Sequence, residues 1–166
     1  KSLGLKEWRV IIFQILSVLA IIQAKYPSFR HNDMKANNVL IHKIGKNKIS
    51  KYNKYQYKIN GQKYIVPNIG YQIKLWDFDF ATIPGLIDNS KVEAEWTTKI
   101  NIDPVKNRYY DVHYFFNTLT RKGFFPEFWE GDIVHKKIKD FFKRIVPTQY
   151  RKGDNVSERG RILVNE

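Results

Sequence analysis

Hydrophobic positions near the start of the chain recur at helical intervals. Trp8, Ile11, Ile12, Ile15, Leu19 and Ile22 share one face between Leu5 and Lys25, while Val10, Phe13, Val18 and Ile21 fill the others. A helix apolar nearly all round packs in the middle of a core. Pro27 ends it, a polar loop follows from Ser28, and Val39 to Ile41 reads as a short strand. Tyr55 to Ile59 and Gln62 to Val66 are β-prone runs on either side of Asn60-Gly61, the strongest short-range hairpin signal. Leu75 to Phe80 reads as a buried strand end and turn, and Pro84-Gly85 opens a loop that runs to about Arg108. Amphipathic spacing then predicts helices over Tyr109 to Leu119 and Val134 to Ile145. From Gly153 and Asp154 the ending turns polar, with a basic cluster at Arg159 and Arg161. The pattern predicts a single, mostly helical α+β domain over 1–166 with small β-hairpins.

Composition narrows the class. An apolar fraction of 43% and an aromatic fraction of 15% exclude a disordered chain. The 29 Lys and Arg against 16 Asp and Glu leave a formal charge of +13, which favours acidic partners without choosing among them. Much of the excess lies in a segment from His42 to Lys74, which holds eight lysines, five tyrosines and no acidic residue. With no cysteine, disulfides, thiolate zinc sites and cysteine nucleophiles are excluded. The apolar run from Val10 to Ala24 is broken by Gln14, Ser17 and Gln23 and is shorter than the roughly 20 residues a bilayer span needs. A soluble protein is expected. The chain opens on Lys1 and stops on the apolar Ile162-Leu163-Val164 stretch, so it is also expected to be a piece of something longer.

The candidate chemistry lies in Arg30-His31-Asn32-Asp33-Met34-Lys35-Ala36-Asn37-Asn38-Val39-Leu40 and, downstream, Leu75-Trp76-Asp77-Phe78-Asp79. Phosphoryl transfer needs a divalent metal to neutralise phosphate oxygens and a group that orients the acceptor hydroxyl. Amide and carboxylate oxygens are suitable hard ligands for magnesium, and Asn38 with Asp77 supplies one of each. Asp33, on the same loop, is placed to accept the hydroxyl proton or hold the hydroxyl in line. Lys35 is able to reach the transferring phosphate, and His31 to brace the loop. Each element alone is weak, because a lone His-x-Asp or Asp-Phe-Asp is usually a loop or turn. Their order, with an apolar helix before and a strand between, is what gives them weight.

His31 to Leu40 resembles the catalytic loop of the protein-kinase superfamily, and Asp77-Phe78-Asp79 resembles its metal-binding Asp-Phe-Gly motif. Tyr110-Asp111-Val112-His113-Tyr114-Phe115-Phe116 looks like the start of the helix beneath the active site, whose Asp anchors the catalytic loop. The wording His-Asn-Asp-Met-Lys-x-Asn-Asn and Trp-Asp-Phe-Asp-Phe-Ala is closest to serine/threonine kinases of large DNA viruses, of the poxvirus and giant-virus type. The resemblance runs from Leu5 to about Phe116. It implies a kinase carboxyl lobe using ATP and Mg2+ on a protein substrate, in host cytoplasm or virion. Asp33, Lys35, His31 and Asp111 would be catalytic or bracing, Lys35, Asn38 and Asp77 would meet the nucleotide, and Asn38 and Asp77 the metal.

There are departures from that pattern. Asn32 stands where many protein kinases have an Arg that receives an activation-loop phosphate, and Asp79 replaces a flexible Gly, either stiffening the turn or adding charge near the metal. No Ala-Pro-Glu follows Asp77, and the basic hairpin of about 42–74 resembles an insertion. No Gly-x-Gly-x-x-Gly or Val-Ala-Ile-Lys occurs, so the amino-terminal lobe is expected to be absent from this chain, which alone should bind ATP poorly. Two alternatives stay open. Choline kinases and aminoglycoside phosphotransferases also use His-x-Asp with an Asn five residues on; Lys35 favours the protein kinases and the missing Ala-Pro-Glu argues the other way. The interleaved Lys and Tyr of the hairpin would also suit a non-catalytic module binding nucleic acid, or simply a lysine-protected sheet edge.

Overall fold

Helix α1 spans Leu5–Lys25 in the computed structural model, which describes residues 3–44, 54–102 and 107–165. Its amino-terminal two-thirds is the central core helix that the apolar spacing predicts. Trp8, Ile11, Ile12, Ile15 and Leu19 are buried, whereas Ile21 is 46% exposed as the helix emerges towards its carboxyl end. Gln14, a polar break in the apolar run, is buried with them: its Oε1 accepts from Ile73 N at 2.8 Å and its Nε2 donates to Tyr71 O at 3.3 Å. Backbone groups of a strand edge facing the core need such partners, and this one glutamine supplies two.

That strand is β4 (Tyr71–Leu75), which pairs antiparallel with β1 (Val39–Lys43) in the register Val39↔Leu75 to Lys43↔Tyr71. Between them β2 (Lys54–Ile59) and β3 (Gln62–Pro67) form the expected hairpin. Asn60 and Gly61 both take positive φ, 48° and 83°, the conformation a tight hairpin turn demands and Asn-Gly tolerates best. The hairpin leans on α1, since the Phe13 ring lies 5.1 Å from Tyr57 and 5.5 Å from Tyr64. Lys46, Lys48, Lys51 and Tyr52 of the basic segment lie outside the described residues.

Beyond β4 come two single-turn helices, α2 (Ser90–Glu93) and α3 (Glu95–Thr98), then α4 (Tyr110–Leu119) and α5 (Lys136–Ile145). The two short helices fall inside the stretch read as loop from Pro84 to Arg108, where one helical turn is too short to show a period. Phe116 of α4 and Phe142 of α5 meet edge to face at 4.7 Å, and Trp8 of α1 approaches Phe142 and Phe128 edge-on at 6.3 and 5.7 Å. Such aromatic pairs add about 0.5–1.5 kcal/mol each beyond the area they bury. The chain is therefore α+β, with five α-helices and two small antiparallel sheets among the described residues. No helix among the described residues is long and apolar enough to cross a membrane.

Candidate active site

The loop after α1 is held from three sides. Arg30 bridges to Thr82 through paired backbone hydrogen bonds of 3.1 and 3.0 Å, and its buried guanidinium donates to the carbonyls of Asn107 and Pro27 at 2.8 and 3.0 Å. The next two backbone N–H groups, of His31 and Asn32, donate to the Asp111 carboxylate at 2.7 and 2.9 Å. Asp111 is fully buried at the start of α4. Burial pushes its carboxyl above the ordinary carboxylate value, against the pull of the His31 and Asn32 backbone N–H groups and of the Arg30 guanidinium. Asn32 sits at φ 63°, a left-handed conformation that Asn accepts more readily than most residues, and its amide donates to Phe80 O at 2.8 Å. His31 Nε2 lies 3.0 Å from Trp76 O; a carbonyl only accepts, so the ring carries its proton on Nε2. The contact ties the loop of the first motif to the segment of the second.

Asp33 receives three side-chain donors. Arg161 Nη2 reaches Oδ1 at 2.7 Å, while Lys35 Nζ and Asn38 Nδ2 reach Oδ2 at 2.8 and 3.1 Å. A carboxylate offers about four lone-pair sites, so one acceptor position remains, on Oδ1. Asn38 also donates to the Asp33 carbonyl at 2.8 Å, which commits its amide nitrogen and turns Oδ1 into the group left for a ligand. Arg161 further donates to the Asn32 carbonyl, and to the Tyr110 hydroxyl at 3.0 Å. Its guanidinium lies 4.1 Å from the Tyr114 ring centre. Burial pushes the Tyr110 phenol up to about 12, so it stays neutral beside the arginine. Arg161 is the site residue that motif reasoning misses. Its only trace in the sequence is membership of a basic pair near the end of the chain.

The second motif differs from expectation. β4 ends at Leu75, and Trp76, Asp77, Phe78 and Asp79 are exposed rather than buried. Their backbone is nevertheless placed: Trp76 N donates to Asn38 O at 2.9 Å, continuing the β1–β4 ladder by one bond and setting Asp77 one residue beyond Asn38's partner. Asp77 has φ 59°, and its carboxylate makes no hydrogen bond or ion pair among the described residues. The Phe78 ring lies 5.0 Å from His31. Asp79 is engaged elsewhere, 2.7 Å from Lys91 Nζ, and its carbonyl accepts from Asn89. That pairing favours the turn-stiffening role for Asp79.

Among the described residues no group of three or more His, Asp or Glu side chains is arranged to hold a metal. His113 is instead buried, with Nε2 at 2.6 Å from Tyr150 O, and His135 caps α5 by accepting from Lys137 N. The oxygen donors left uncommitted include the Asn38 amide and the Asp77 carboxylate, besides the buried Asn32 Oδ1. Hard oxygens in that small number suit magnesium, which keeps several waters and takes one or two protein carboxylates. In the stretch after the second motif, Thr97 is buried, with its hydroxyl against the carbonyls of Val92 and Ala94.

Residues 5–160 match the family described as poxvirus serine/threonine protein kinase. Among curated proteins, the chain is 53% identical over 165 residues to one named "Putative serine/threonine-protein kinase R400" of Acanthamoeba polyphaga mimivirus, covering 99% of this chain and 35% of that protein. It is 37% identical over 92 residues to "Putative serine/threonine-protein kinase R301" of the same virus, 54% of this chain and 22% of that protein. The chain thus spans about a third or less of the length of these relatives. No solved structure matches it significantly. The family match reaches well past Phe116, where the likeness read from motifs fades, and takes in most of the tail leading to Arg161. The chain belongs to the poxvirus serine/threonine protein kinase family.

Proposed function

We propose that this chain carries the phosphoryl-acceptor half of an active site that moves the γ-phosphate of ATP onto Ser or Thr hydroxyls of a protein. The observation that carries the reading is Asp33. Its carboxylate is held by Arg161, Lys35 and Asn38 with one acceptor position left on Oδ1, beside an Asn38 amide oxygen and an Asp77 carboxylate that are uncommitted.

In this reading the acceptor hydroxyl donates to Asp33 Oδ1, which aligns its oxygen and takes its proton as the new O–P bond forms and the bond to ADP breaks. Orientation of this kind, with general-base assistance, contributes about 10²–10⁴-fold. Lys35, 33% exposed along its side chain, is able to swing from Asp33 to the transferring phosphate. Asn38 and Asp77 would hold magnesium, which when bound neutralises phosphate oxygens. His31 and Asp111 act through the loop, fixing the backbone on which Asp33 sits.

The test uses the protein containing this segment at its full length, with labelled ATP and either protein or small-alcohol acceptors. Label is expected on protein Ser or Thr, falling at least about 100-fold in Asp33→Asn, as loss of a catalytic base predicts, and in Asp77→Asn. Transfer to protein that persists in both variants would refute the assignment. Label on a small alcohol alone would move it to the choline-kinase type of chemistry.

A further inference from the structure

A cleft of about 580 Å³ opens beside Asp33: Asp33 and Lys35 line it, whereas the proposed metal residues Asn38 and Asp77 do not. Its walls carry Lys35, Arg121, Lys122, Arg159 and Arg161 against two acids, Asp33 and Glu158. Asp33 already pairs with Lys35 and Arg161, and the remaining excess of positive charge in the cleft favours an anionic ligand.

The cations fall into two kinds. Arg161 and Arg121 are built into the structure. Arg161 holds Asp33, and Arg121 donates to the carbonyls of Glu158 and Arg151 at 2.7 and 3.1 Å, tying the end of α4 to the loop that carries Arg159 and Arg161. Burial lowers the affinity of the Arg121 guanidinium for its proton, a cost that a bound anion would offset. Lys122 and Arg159 are exposed, and their side chains make no hydrogen bond or ion pair among the described residues. Tyr114 and Phe124 are the aromatic residues lining the cleft, and the face of Tyr114 is already covered by Arg161. That leaves the Phe124 ring as the stacking face on offer, whereas single-stranded nucleic acid stacks successive bases on several.

We infer that this cleft selects protein substrates whose Ser or Thr is flanked by anionic residues, carboxylate or phosphorylated, with Lys122 and Arg159 reading that charge. The inference rests on the proposed role of Asp33 and adds the substrate class. Lys122 and Arg159 are specificity residues, so their removal leaves the chemistry in place.

The full-length protein is assayed with serine peptides flanked by Glu, by phosphoserine, by Ala or by Lys, as wild type and as the double variant Lys122→Glu with Arg159→Glu. Binding of the same peptides is followed separately by fluorescence anisotropy at low and high salt, with a single-stranded oligonucleotide as competitor. The expected result is at least a tenfold higher kcat/KM for anionic than for Ala-flanked peptides, lost in the double variant while the Ala-flanked rate and the melting temperature hold. Comparison of the Glu and phosphoserine peptides tells which anion is read. An active enzyme with no anionic preference, or a preference that survives charge reversal, overturns the inference. So does an oligonucleotide that binds through Lys122 and Arg159 while anionic peptides do not. If no acceptor is labelled at all, the kinase reading fails on its own, and anisotropy still decides whether the cleft holds anionic peptides.

Discussion

The two motifs of the candidate site, His31–Asn38 and Trp76–Asp79, sit next to each other and are built in opposite ways. In the first, His31, Asn32, Asp33 and Asn38 are all at or below 5% exposure; the His31 and Asn32 N–H groups and the Asp33 carboxylate are held from far along the chain by Asp111 and Arg161, and the Asn38 amide by Asp33 itself. In the second, Trp76 and Phe78 are 61% and 50% exposed; the backbone is pinned at Trp76 through Asn38 and His31, and the Asp79 carboxylate makes an exposed pair with Lys91. A group that orients a hydroxyl has to be fixed before substrate arrives. A metal ligand has to keep its oxygen uncommitted. The difference between the regions is the one that these proposed tasks would require, and it makes the first half costly to alter and the second cheap.

The largest expected effect is therefore at Asp111. Asp111→Ala strips the shared acceptor from two buried N–H groups and removes the anion near the buried Arg30. Breaking such a buried charged arrangement costs about 3–5 kcal/mol. Urea denaturation should show the midpoint falling with an unchanged slope, and a loss below about 1 kcal/mol, within the range of ordinary surface substitutions, would mean that the loop is held by something else.

How much of this was legible in the chain depends on the distance between partners. The α1 helix, the Asn-Gly hairpin and the order of the two motifs are local patterns, and all three appear where the spacing puts them. Asp33, Lys35 and Asn38 come together because they lie within one turn and its flanks. Arg161 reaches Asp33 across 128 positions, and no local period encodes such a contact. Gln14 misleads for a related reason: a polar residue in an apolar run reads as a flaw until the strand edge it satisfies is in place. The segment after Leu75 misleads the other way, since its aromatic residues look like core while their backbone turns them out.

An intermediate effect separates the halves by pH. His113 shares α4 with Asp111, and burial pushes its imidazole down to about 4 from an ordinary 6.5, against the opposing pull of the Tyr150 carbonyl. The folded state therefore binds this proton less readily than the unfolded chain. Its contribution is present in full above pH 6.5, falls as pH drops from 6.5 towards 4, and is constant below that. At about 1.4 kcal/mol for each pH unit, the loss reaches about 3 kcal/mol. His113→Gln should flatten that part of the stability curve, whereas a slope as steep as in the parent protein would assign the acid sensitivity to other groups.

The smallest expected change in stability is the sharpest test of the contrast. Asp77 is exposed, has no side-chain partner among the described residues and sits in the left-handed region. Asn tolerates that backbone nearly as well as Asp, so Asp77→Asn keeps the turn while removing one negative charge. Surface changes of this sort usually stay within about 0.5 kcal/mol. Without metal, the melting temperatures of variant and parent should coincide. With millimolar magnesium and ATP the parent should gain stability by mass action while the variant gains less, because a weaker ligand set raises the dissociation constant. Equal gains would show that Asp77 does not hold the metal, and an equally large loss without magnesium would show that the second motif is as structural as the first.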